Sequence, residues 1–282
     1  MDKKMKLAVI GKPIGHSKSP EIHQDFASQF DTKIEFKKDE VTPETLETWL
    51  ADFFKDAGKG VSITLPLKEA ALNYADEISD RARLASACNV IYSKDEKIFA
   101  DCTDGFGLIK DLEENLKVSL EDKKILILGA GGAARGIIPS IIEKKPAKLK
   151  VANRTESKAL LLREDLEAKV NLKEKNTIFE AGDLSDDFLL DDSYDLVINS
   201  TSISTQAGES IGLPKALFSG TKLAYDLFYS AEKTVVMQEA LAAGAQKASD
   251  GWGMLVEQGA ESFRLWTNLI PDTSRLLEKP ID

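Results

Sequence analysis

The sequence contains few of the residues that build metal sites or disulfide frameworks. Its 282 residues include two cysteines, Cys88 and Cys102, and two histidines, His16 and His23. The spacing of the cysteines fits neither a zinc site nor a disulfide framework. Both cysteines are therefore expected to be small buried apolar residues, and no metal site is predicted.

Long apolar runs and positive charge are also lacking. No segment approaches the roughly 20 apolar residues of a membrane span, and the opening M-D-K-K-M-K leads directly into the strand L-A-V-I without the apolar region of a signal peptide. We expect a cytoplasmic protein with no membrane partner. The net charge of −10 disfavours nucleic acid as a partner. Any anionic ligand must then meet local positive charge.

The chain instead shows two series of alternating strand and helix signals, which predict an α/β fold with mainly parallel sheets. A chain of 282 residues suits two domains. The second series begins near residue 105. The clearest predicted strands are 6–10, 34–37, 61–65, 123–129, 149–153, 194–199 and 223–226, and the clearest helices are 20–29, 42–54, 133–143, 155–169, 235–243 and 251–266.

A glycine-rich turn lies between the strand at 123–129 and the helix at 133–143. Gly129, Gly131 and Ala134 follow the G-x-G-x-x-G/A spacing in which glycines permit a tight turn and a close approach of the backbone to a pyrophosphate. The free N–H groups of the following helix meet the negative charge. The turn predicts a dinucleotide site.

The tip of the next strand indicates which dinucleotide is bound. An acidic residue there would bind the ribose hydroxyls of NAD, but this chain has Asn153, Arg154, Thr155 and Lys158. Arg154 can stack on adenine and pair with a 2′-phosphate. The alternative is a solvated basic turn, and we favour NADP.

The stretch V-S-I-T-L-P-L-K, residues 61–68, predicts a buried strand that passes through Thr64 and stops at Pro66, with Lys68 two residues later. By itself Lys68 is more simply a surface lysine. Its role depends on the rest of the chain.

Several separated motifs together resemble the shikimate dehydrogenases over nearly the whole chain. The stretch G-K-P-I-G-H-S-K-S-P is similar to the substrate-carboxylate loop of the family. The matching motifs further along are I-T-L-P-L-K, A-C-N-V, C-T-D-G-F-G, G-A-G-G-A-A-R-G, N-R-T, F-Y and G-M-L-V-E-Q. This resemblance is far more specific than the glycine turn alone.

The resemblance implies a role for each matching residue. Ser17 and Ser19 hold the substrate carboxylate, although on sequence alone a turn serine and a helix cap fit equally well. Residues that read ring hydroxyls are Thr64, Asn89, Tyr229 and Gln258, each of which alone fits a turn, cap or core edge. Cofactor-binding residues implied by the resemblance are Gly129, Ala130, Gly131, Gly132, Ala133, Asn153, Arg154, Thr155, Lys158, Thr201 and Gly251.

The resemblance further implies that Lys68 and Asp104 are catalytic. In the reduction, Lys68 donates a proton to the developing alkoxide, worth roughly 10²–10⁴-fold as a general acid. An ordinary lysine is a poor base at neutral pH. Desolvation would lower the pKa of Lys68, and the carboxylate of Asp104 would oppose that fall.

The implied architecture has two domains around a cleft. An N-terminal α/β substrate domain, residues 1–103, is completed by C-terminal helices at 249–282. A Rossmann-type doubly wound NADP domain spans residues 104–248. The implied activity is the reversible NADPH-dependent reduction of 3-dehydroshikimate to shikimate in aromatic amino-acid (chorismate) biosynthesis, by a monomer or homodimer.

The chain departs from the family pattern at four positions, which affects the expected loop geometry and the strictness for shikimate over quinate. The family often has asparagine at Ser62 and at Cys102, glycine at Ser204 and proline at Ala231. A quinate/shikimate dehydrogenase paralogue, a folate-type dehydrogenase and a catalytically silent NADP-binding sensor are the alternatives. The N-R-T-E-S-K turn, the S-K-S loop and the intact lysine–aspartate pair respectively disfavour them.

Overall fold

The computed structural model describes residues 4–205 and 212–278 of the chain. The chain divides into two compact units, with boundaries after Leu108 and after Met254. The predicted domain boundaries, after residues 103 and 248, lie a few residues earlier in each case. The predicted ranges also extend over residues 1–3, 206–211 and 279–282, which lie outside the described residues. The functional assignment of the two units stays a prediction.

Strands and helices alternate along the chain, as the sequence predicts. The strands are β1 (Met5–Gly11), β2 (Ile34–Glu40), β3 (Gly58–Ile63), β4 (Glu77–Ile78), β5 (Val90–Lys94), β6 (Lys97–Asp101), β7 (Lys124–Leu128), β8 (Lys148–Ala152), β9 (Ile178–Gly182), β10 (Leu196–Asn199), β11 (Leu223–Asp226) and β12 (Ala248–Ser249). The helices are α1 (Ser19–Ser28), α2 (Leu46–Lys55), α3 (Asp80–Ala85), α4 (Asp104–Lys110), α5 (Gly132–Glu143), α6 (Glu156–Glu167), α7 (Leu172–Lys175), α8 (Asp186–Leu189), α9 (Val235–Ala242), α10 (Trp252–Thr267) and α11 (Ser274–Glu278).

The sheet of the first unit is mixed, with the strand order β2-β1-β3-β5-β6-β4. Strand β5 runs antiparallel to both of its neighbours, β3 and β6, and the other pairings are parallel. This reversal is not predicted from the sequence, because a short apolar strand has the same pattern in either direction. As a result, β1, β3 and β6 all point their carboxyl ends toward the same edge.

Buried apolar side chains on this sheet form the core that fixes its strands. Ile10, Val61 and Ile63 belong to one buried cluster with residues of α2 and α3. Helix α2 begins at Leu46, four residues later than predicted, and β3 ends at Ile63 rather than beyond Thr64. Pairing with β1 nevertheless continues one residue past the end of β3, because the backbone N–H of Thr64 donates to the carbonyl of Ile10 at 3.0 Å.

The sheet of the second unit is fully parallel, with the order β12-β11-β10-β7-β8-β9. Strands β8 and β9 extend from β7 on one side, and β10, β11 and β12 extend on the other. This is the doubly wound Rossmann order, in which ligands bind where the direction of winding reverses, between β7 and β10. The predicted fold class is confirmed. Among the described helices, none has the length and apolar composition that a membrane crossing requires.

Candidate active site

The predicted substrate-binding and catalytic residues of the first unit lie in segments that join the strands at one edge of its sheet. The loop that carries Ser17 and Ser19 leaves the carboxyl end of β1, Lys68 follows β3, and Asp104 follows β6. Asn89 immediately precedes β5, whose reversed direction brings its amino end to the same edge. The topology thus brings separate motifs to one place.

Lys68 and Asp104 form an ion pair in which the Lys68 ammonium donates a hydrogen bond to Oδ2 of Asp104. The side chain of Asp104 is 6% exposed and that of Lys68 is 17% exposed. Water therefore screens the pair poorly, and the carboxylate holds the amine in one orientation. The structure brings together the two residues predicted to be catalytic.

The pKa of Lys68 reflects two opposing effects. Burial favours the neutral amine and lowers the pKa, whereas the charge of Asp104 and its hydrogen bond raise it. The carboxylate outweighs burial, so the pKa of Lys68 lies above its ordinary value. Lys68 is consequently an ammonium at neutral pH, the form that can donate a proton.

The side-chain amide of Asn89 occupies the centre of a buried hydrogen-bond cluster. Its Nδ2 donates to Thr103 Oγ1 at 2.9 Å, to Asp104 Oδ1 at 2.9 Å and to Gln258 Oε1 at 3.1 Å. Its Oδ1 accepts the backbone N–H of Thr103 at 2.7 Å. Asn89 is 3% exposed. Gln258, 169 residues later, is held in the same cluster and donates to the carbonyl of Leu255 at 2.8 Å.

Ser17 and Ser19 form a buried hydroxyl pair at the start of α1. Ser17 Oγ donates to Ser19 Oγ at 3.2 Å and accepts the backbone N–H of Ser19 at 3.3 Å. Thr64 is half-buried beside Gly11, where an added Cβ would lie 2.5 Å from Thr64 Cγ2. Only glycine permits this approach of the chain leaving β1 to the chain leaving β3.

Two hydroxyl residues that complete the cluster are not predicted from the sequence. Thr103 is fully buried, and its Oγ1 lies 3.4 Å from Gln258 Oε1 and 3.2 Å from Ser262 Oγ. Ser262 is also fully buried and donates to the carbonyl of Gln258 at 2.8 Å. The position of Thr103 beside Asp104 was a usable signal. Ser262 has no sequence signal beyond its place one turn after Gln258.

Two of the departures from the family pattern lie next to this cluster. Cys102 is buried, and its backbone N–H donates to Asp101 Oδ1 at 2.7 Å. Burial raises the pKa of the Cys102 thiol, which keeps it neutral. Ser62 is half-buried in β3 opposite Val90. The Lys68–Asp104 pair is formed with these residues in place.

In the second unit, the glycine turn joins β7 to α5 as predicted. Gly129 has a φ of +107°, and a Cβ there would lie 2.6 Å from Ser200 Oγ. A side chain at this position would therefore be strained and would clash. Beside Gly131, by contrast, a Cβ would meet no heavy atom of the described chain within 4 Å. The backbone at the start of α5 is accessible to a pyrophosphate, and these residues fit a dinucleotide.

A cavity of about 370 Å³ adjoins this turn at the carboxyl edge of the sheet. Its lining residues come from the ends of β7, β8 and β10 and from the loops that follow these strands and β9: Leu128, Gly129, Ala152, Asn153, Arg154, Leu184, Asn199, Thr201, Ser202, Ile203 and Leu213. Asn153 Nδ2 donates to the carbonyl of Thr155 at 2.8 Å, which shapes the turn. Arg154 and Lys158 are exposed and supply positive charge beside the cavity.

The loop after β10 is tied to the end of β11. Asp226 is fully buried; its Oδ1 accepts from Asn199 Nδ2 at 2.9 Å and its Oδ2 from Ser204 Oγ at 2.6 Å. Thr201 Oγ1 donates to Asn199 Oδ1 at 2.7 Å. Ser204, a departure from the family glycine, therefore adds a hydrogen bond to a buried carboxylate.

The remaining predicted residues of this unit lie around the start of α10. Tyr229 is half-buried, with its ring centroid 6.0 Å from that of Trp252 and 6.1 Å from that of Phe228. Gly251 is buried, and its N–H donates to the carbonyl of Phe228 at 2.9 Å. A Cβ on Gly251 would collide with the carbonyl oxygen of Leu227, so glycine is required there. Ala231 is exposed.

A dinucleotide turn in one unit and an ordered ammonium–carboxylate pair in the other are the features expected of a nicotinamide-dependent oxidoreductase. Three family models match the chain. The Shikimate dehydrogenase substrate binding domain matches residues 9–91, Shikimate / quinate 5-dehydrogenase matches residues 111–207, and the Shikimate 5′-dehydrogenase C-terminal domain matches residues 251–278.

The chain is also similar over nearly its full length to known proteins and solved structures. A Shikimate dehydrogenase (NADP(+)) of Janthinobacterium sp. (strain Marseille) is 42% identical over 275 residues, covering 96% of this chain and 95% of that protein. The crystal structure of an Ael1 enzyme from Pseudomonas putida has a TM-score of 0.86 and 36% identity, covering 98% of each chain. Shikimate 5-dehydrogenase from Thermus thermophilus, in complex with NADP(H) and shikimate, has a TM-score of 0.84 and 31% identity, covering 97% of each chain. The chain belongs to the shikimate dehydrogenase family.

Proposed function

We propose that this chain is an NADP-dependent shikimate dehydrogenase, which reversibly reduces 3-dehydroshikimate to shikimate in aromatic amino-acid (chorismate) biosynthesis. The observation that carries the proposal is the Lys68–Asp104 ion pair, joined by Asn89 to Gln258. A proton-transfer pair next to convergent hydrogen-bonding groups suits the reduction of a carbonyl on a polyhydroxylated ring. The nearly full-length family resemblance supplies the identity of that ring.

Lys68 acts as the general acid of the reduction. NADPH, when bound, supplies the hydride. Lys68 donates a proton from its Nζ to the oxygen that becomes the new hydroxyl, and Asp104 keeps the amine protonated and aimed. In the reverse direction Lys68 must first lose a proton, after which its neutral amine accepts the hydroxyl proton.

The other predicted residues of the site bind and orient the substrate. Ser17 and Ser19 hold the substrate carboxylate through their hydroxyls. The ring hydroxyls are read by Thr64, Asn89, Tyr229 and Gln258. The first unit, predicted as residues 1–103 with 249–282, is the substrate domain.

The second unit, predicted as residues 104–248, binds NADP. The backbone from Gly129 to Ala133 meets the pyrophosphate. Arg154 pairs with the 2′-phosphate, because a guanidinium forms two parallel hydrogen bonds to phosphate oxygens. The remaining cofactor residues are Asn153, Thr155, Lys158, Thr201 and Gly251.

The test is a spectrophotometric assay of the purified protein with each pairing of NADP or NAD with shikimate or quinate. Lys68→Ala is measured beside Lys97→Ala, whose exposed lysine pairs with Glu77 at 2.6 Å in the same unit. We expect NADP–shikimate turnover that Lys68→Ala largely abolishes and Lys97→Ala preserves.

Other results would redirect the proposal. Turnover only with quinate and NAD would make the protein a quinate/shikimate paralogue, and NADP binding without any turnover would make it a sensor. We further propose a cytoplasmic location and a monomer or homodimer, which fractionation and light scattering test.

A further inference from the structure

A second charged cluster in the first unit consists of Arg81, Asp101 and Glu261. Arg81, the second residue of α3, donates through Nε to Asp101 Oδ1 at 2.9 Å and through Nη2 to Asp101 Oδ2 at 2.7 Å. Its Nη1 donates to Glu261 Oε1 at 2.9 Å. The side chains of Asp101 and Glu261 are 7% and 6% exposed. All three nitrogens of the guanidinium are thus used on these carboxylates.

The two carboxylates lie close in sequence to the hydrogen-bond partners of Asn89. Asp101 ends β6, two residues before Thr103 and three before Asp104. Glu261 lies on α10, three residues after Gln258 and therefore on the same face of the helix. Asp101 is held further by Ser79 Oγ at 2.6 Å, from the residue that caps α3.

We propose that Arg81 is a positioning residue for substrate recognition. It fixes the end of β6 to α10. The positions of Thr103 and Asp104 relative to Gln258 are thereby held constant. Arg81 acts through Asp101 and Glu261 rather than by touching substrate. The inference rests on the proposed function, since that function makes the Asn89 cluster the group that reads the ring hydroxyls.

The geometry explains why arginine is suited to this position. The planar guanidinium presents a rigid fork that binds Asp101 side-on and leaves a third N–H for Glu261. Lysine would keep the charge but lack the planar guanidinium, and would have a single ammonium nitrogen to donate to both carboxylates. A small displacement between two binding elements is costly, because misplacement by about 1 Å can reduce a rate about 100-fold.

The chain provides a matched control in Arg264. Arg264 donates to Glu261 through Nε at 2.7 Å and Nη2 at 2.8 Å, with its side chain 40% exposed. It sits on α10 with Glu261 and so does not connect α10 to β6. Arg264→Met removes an equal charge from the same carboxylate while leaving the bridge intact.

The experiment compares Arg81→Met, Arg81→Lys and Arg264→Met, each at a temperature well below its unfolding midpoint. We expect kcat/KM for shikimate to fall about 10- to 100-fold in Arg81→Met. Arg81→Lys should recover part of this loss. KM for NADP should stay within about twofold in all three variants, and Arg264→Met should keep wild-type constants. The proposal would be overturned if KM for NADP rose in Arg81→Met by as much as kcat/KM for shikimate fell. It would also be overturned if Arg81→Met were less stable but kept the wild-type kcat/KM for shikimate.

A second readout needs no turnover. Hydrogen exchange of the Asn89 side-chain amide, followed by ¹⁵N NMR, should be at least about tenfold faster in Arg81→Met and unchanged in Arg264→Met. Unchanged exchange in Arg81→Met would overturn the positioning role. If the wild-type protein did not oxidise shikimate, the proposed function would fail, and the exchange rates would still decide whether Arg81 positions the cluster.

Discussion

Replacing Lys68 with methionine tests the proposed chemistry most directly. Methionine keeps much of the side-chain length and removes the amine, with a thioether sulfur in place of one methylene. We expect kcat to fall about 10²–10⁴-fold, equivalent to about 2.7–5.4 kcal/mol on the barrier. NADP affinity should be unchanged, because the predicted cofactor residues belong to the other unit. The assay follows reduced nicotinamide in both directions at saturating cofactor.

The variant must also be separated from simple unfolding. Lys68→Met leaves the Asp104 carboxylate buried without its cation. Breaking such a pair costs about 3–5 kcal/mol, and the lower end applies here because the lysine is 17% exposed. In Lys68→Met/Asp104→Asn the unpaired charge is gone, and the asparagine can still accept from Asn89, whose Nδ2 lies 2.9 Å from Asp104 Oδ1.

The double variant should therefore regain most of the lost stability in urea unfolding and none of the lost activity. The reasoning would be refuted by a folded Lys68→Met with kcat within about tenfold of wild type. Recovery of turnover by the double variant would refute it equally.

Three further outcomes follow from the structure. Since Asp104 holds the pKa of Lys68 above its ordinary value against the effect of burial, the rate of shikimate oxidation should rise with pH into the alkaline range. Asp104→Asn removes the largest effect that opposes burial and should move that rise to lower pH. An unmoved profile would exclude Lys68 as the titrating base. Burial lowers the pKa of His23 to about 3, so the unfolded chain takes up the proton first as pH falls below about 6.5. The contribution of His23 to the free energy of unfolding should then fall by up to about 1.4 kcal/mol per pH unit between about pH 6.5 and about pH 3, and urea unfolding of His23→Leu should show a correspondingly flatter dependence. A slope identical to wild type would contradict this. Arg154→Ala should raise KM for NADP about 10- to 100-fold with little effect on KM for NAD, and equal effects on both would argue against a 2′-phosphate contact.

The glycine turn could be predicted from sequence because its reason is local. Gly129 needs a positive φ and Gly131 an open approach, and both requirements lie within a few residues of one strand and one helix. The parallel sheet also follows from alternating strand and helix signals, whereas its Rossmann order was implied by the family resemblance. The exact ends of β3 and α2 did not follow, because hydrogen bonding by neighbouring strands and loops decides them.

The reversal of β5 could not be predicted, yet the substrate site depends on it. An apolar strand has the same alternating pattern in both directions, so the residues of β5 do not encode its orientation. Only its pairing with β3 and β6 places Asn89 at the edge where Asp104 and Lys68 emerge.

By itself the sequence determined the family, through several separated motifs that each match locally, and the dinucleotide turn, which depends on contiguous residues. It also identified Lys68 and Asp104 as candidate catalytic residues. The tertiary structure alone decided which groups surround them. Arg81 meets Glu261 across 180 residues, and Asn89 meets Gln258 across 169. It also decided the direction of the Lys68 pKa, because burial and the Asp104 charge oppose each other and their balance depends on where the folded chain places the two side chains.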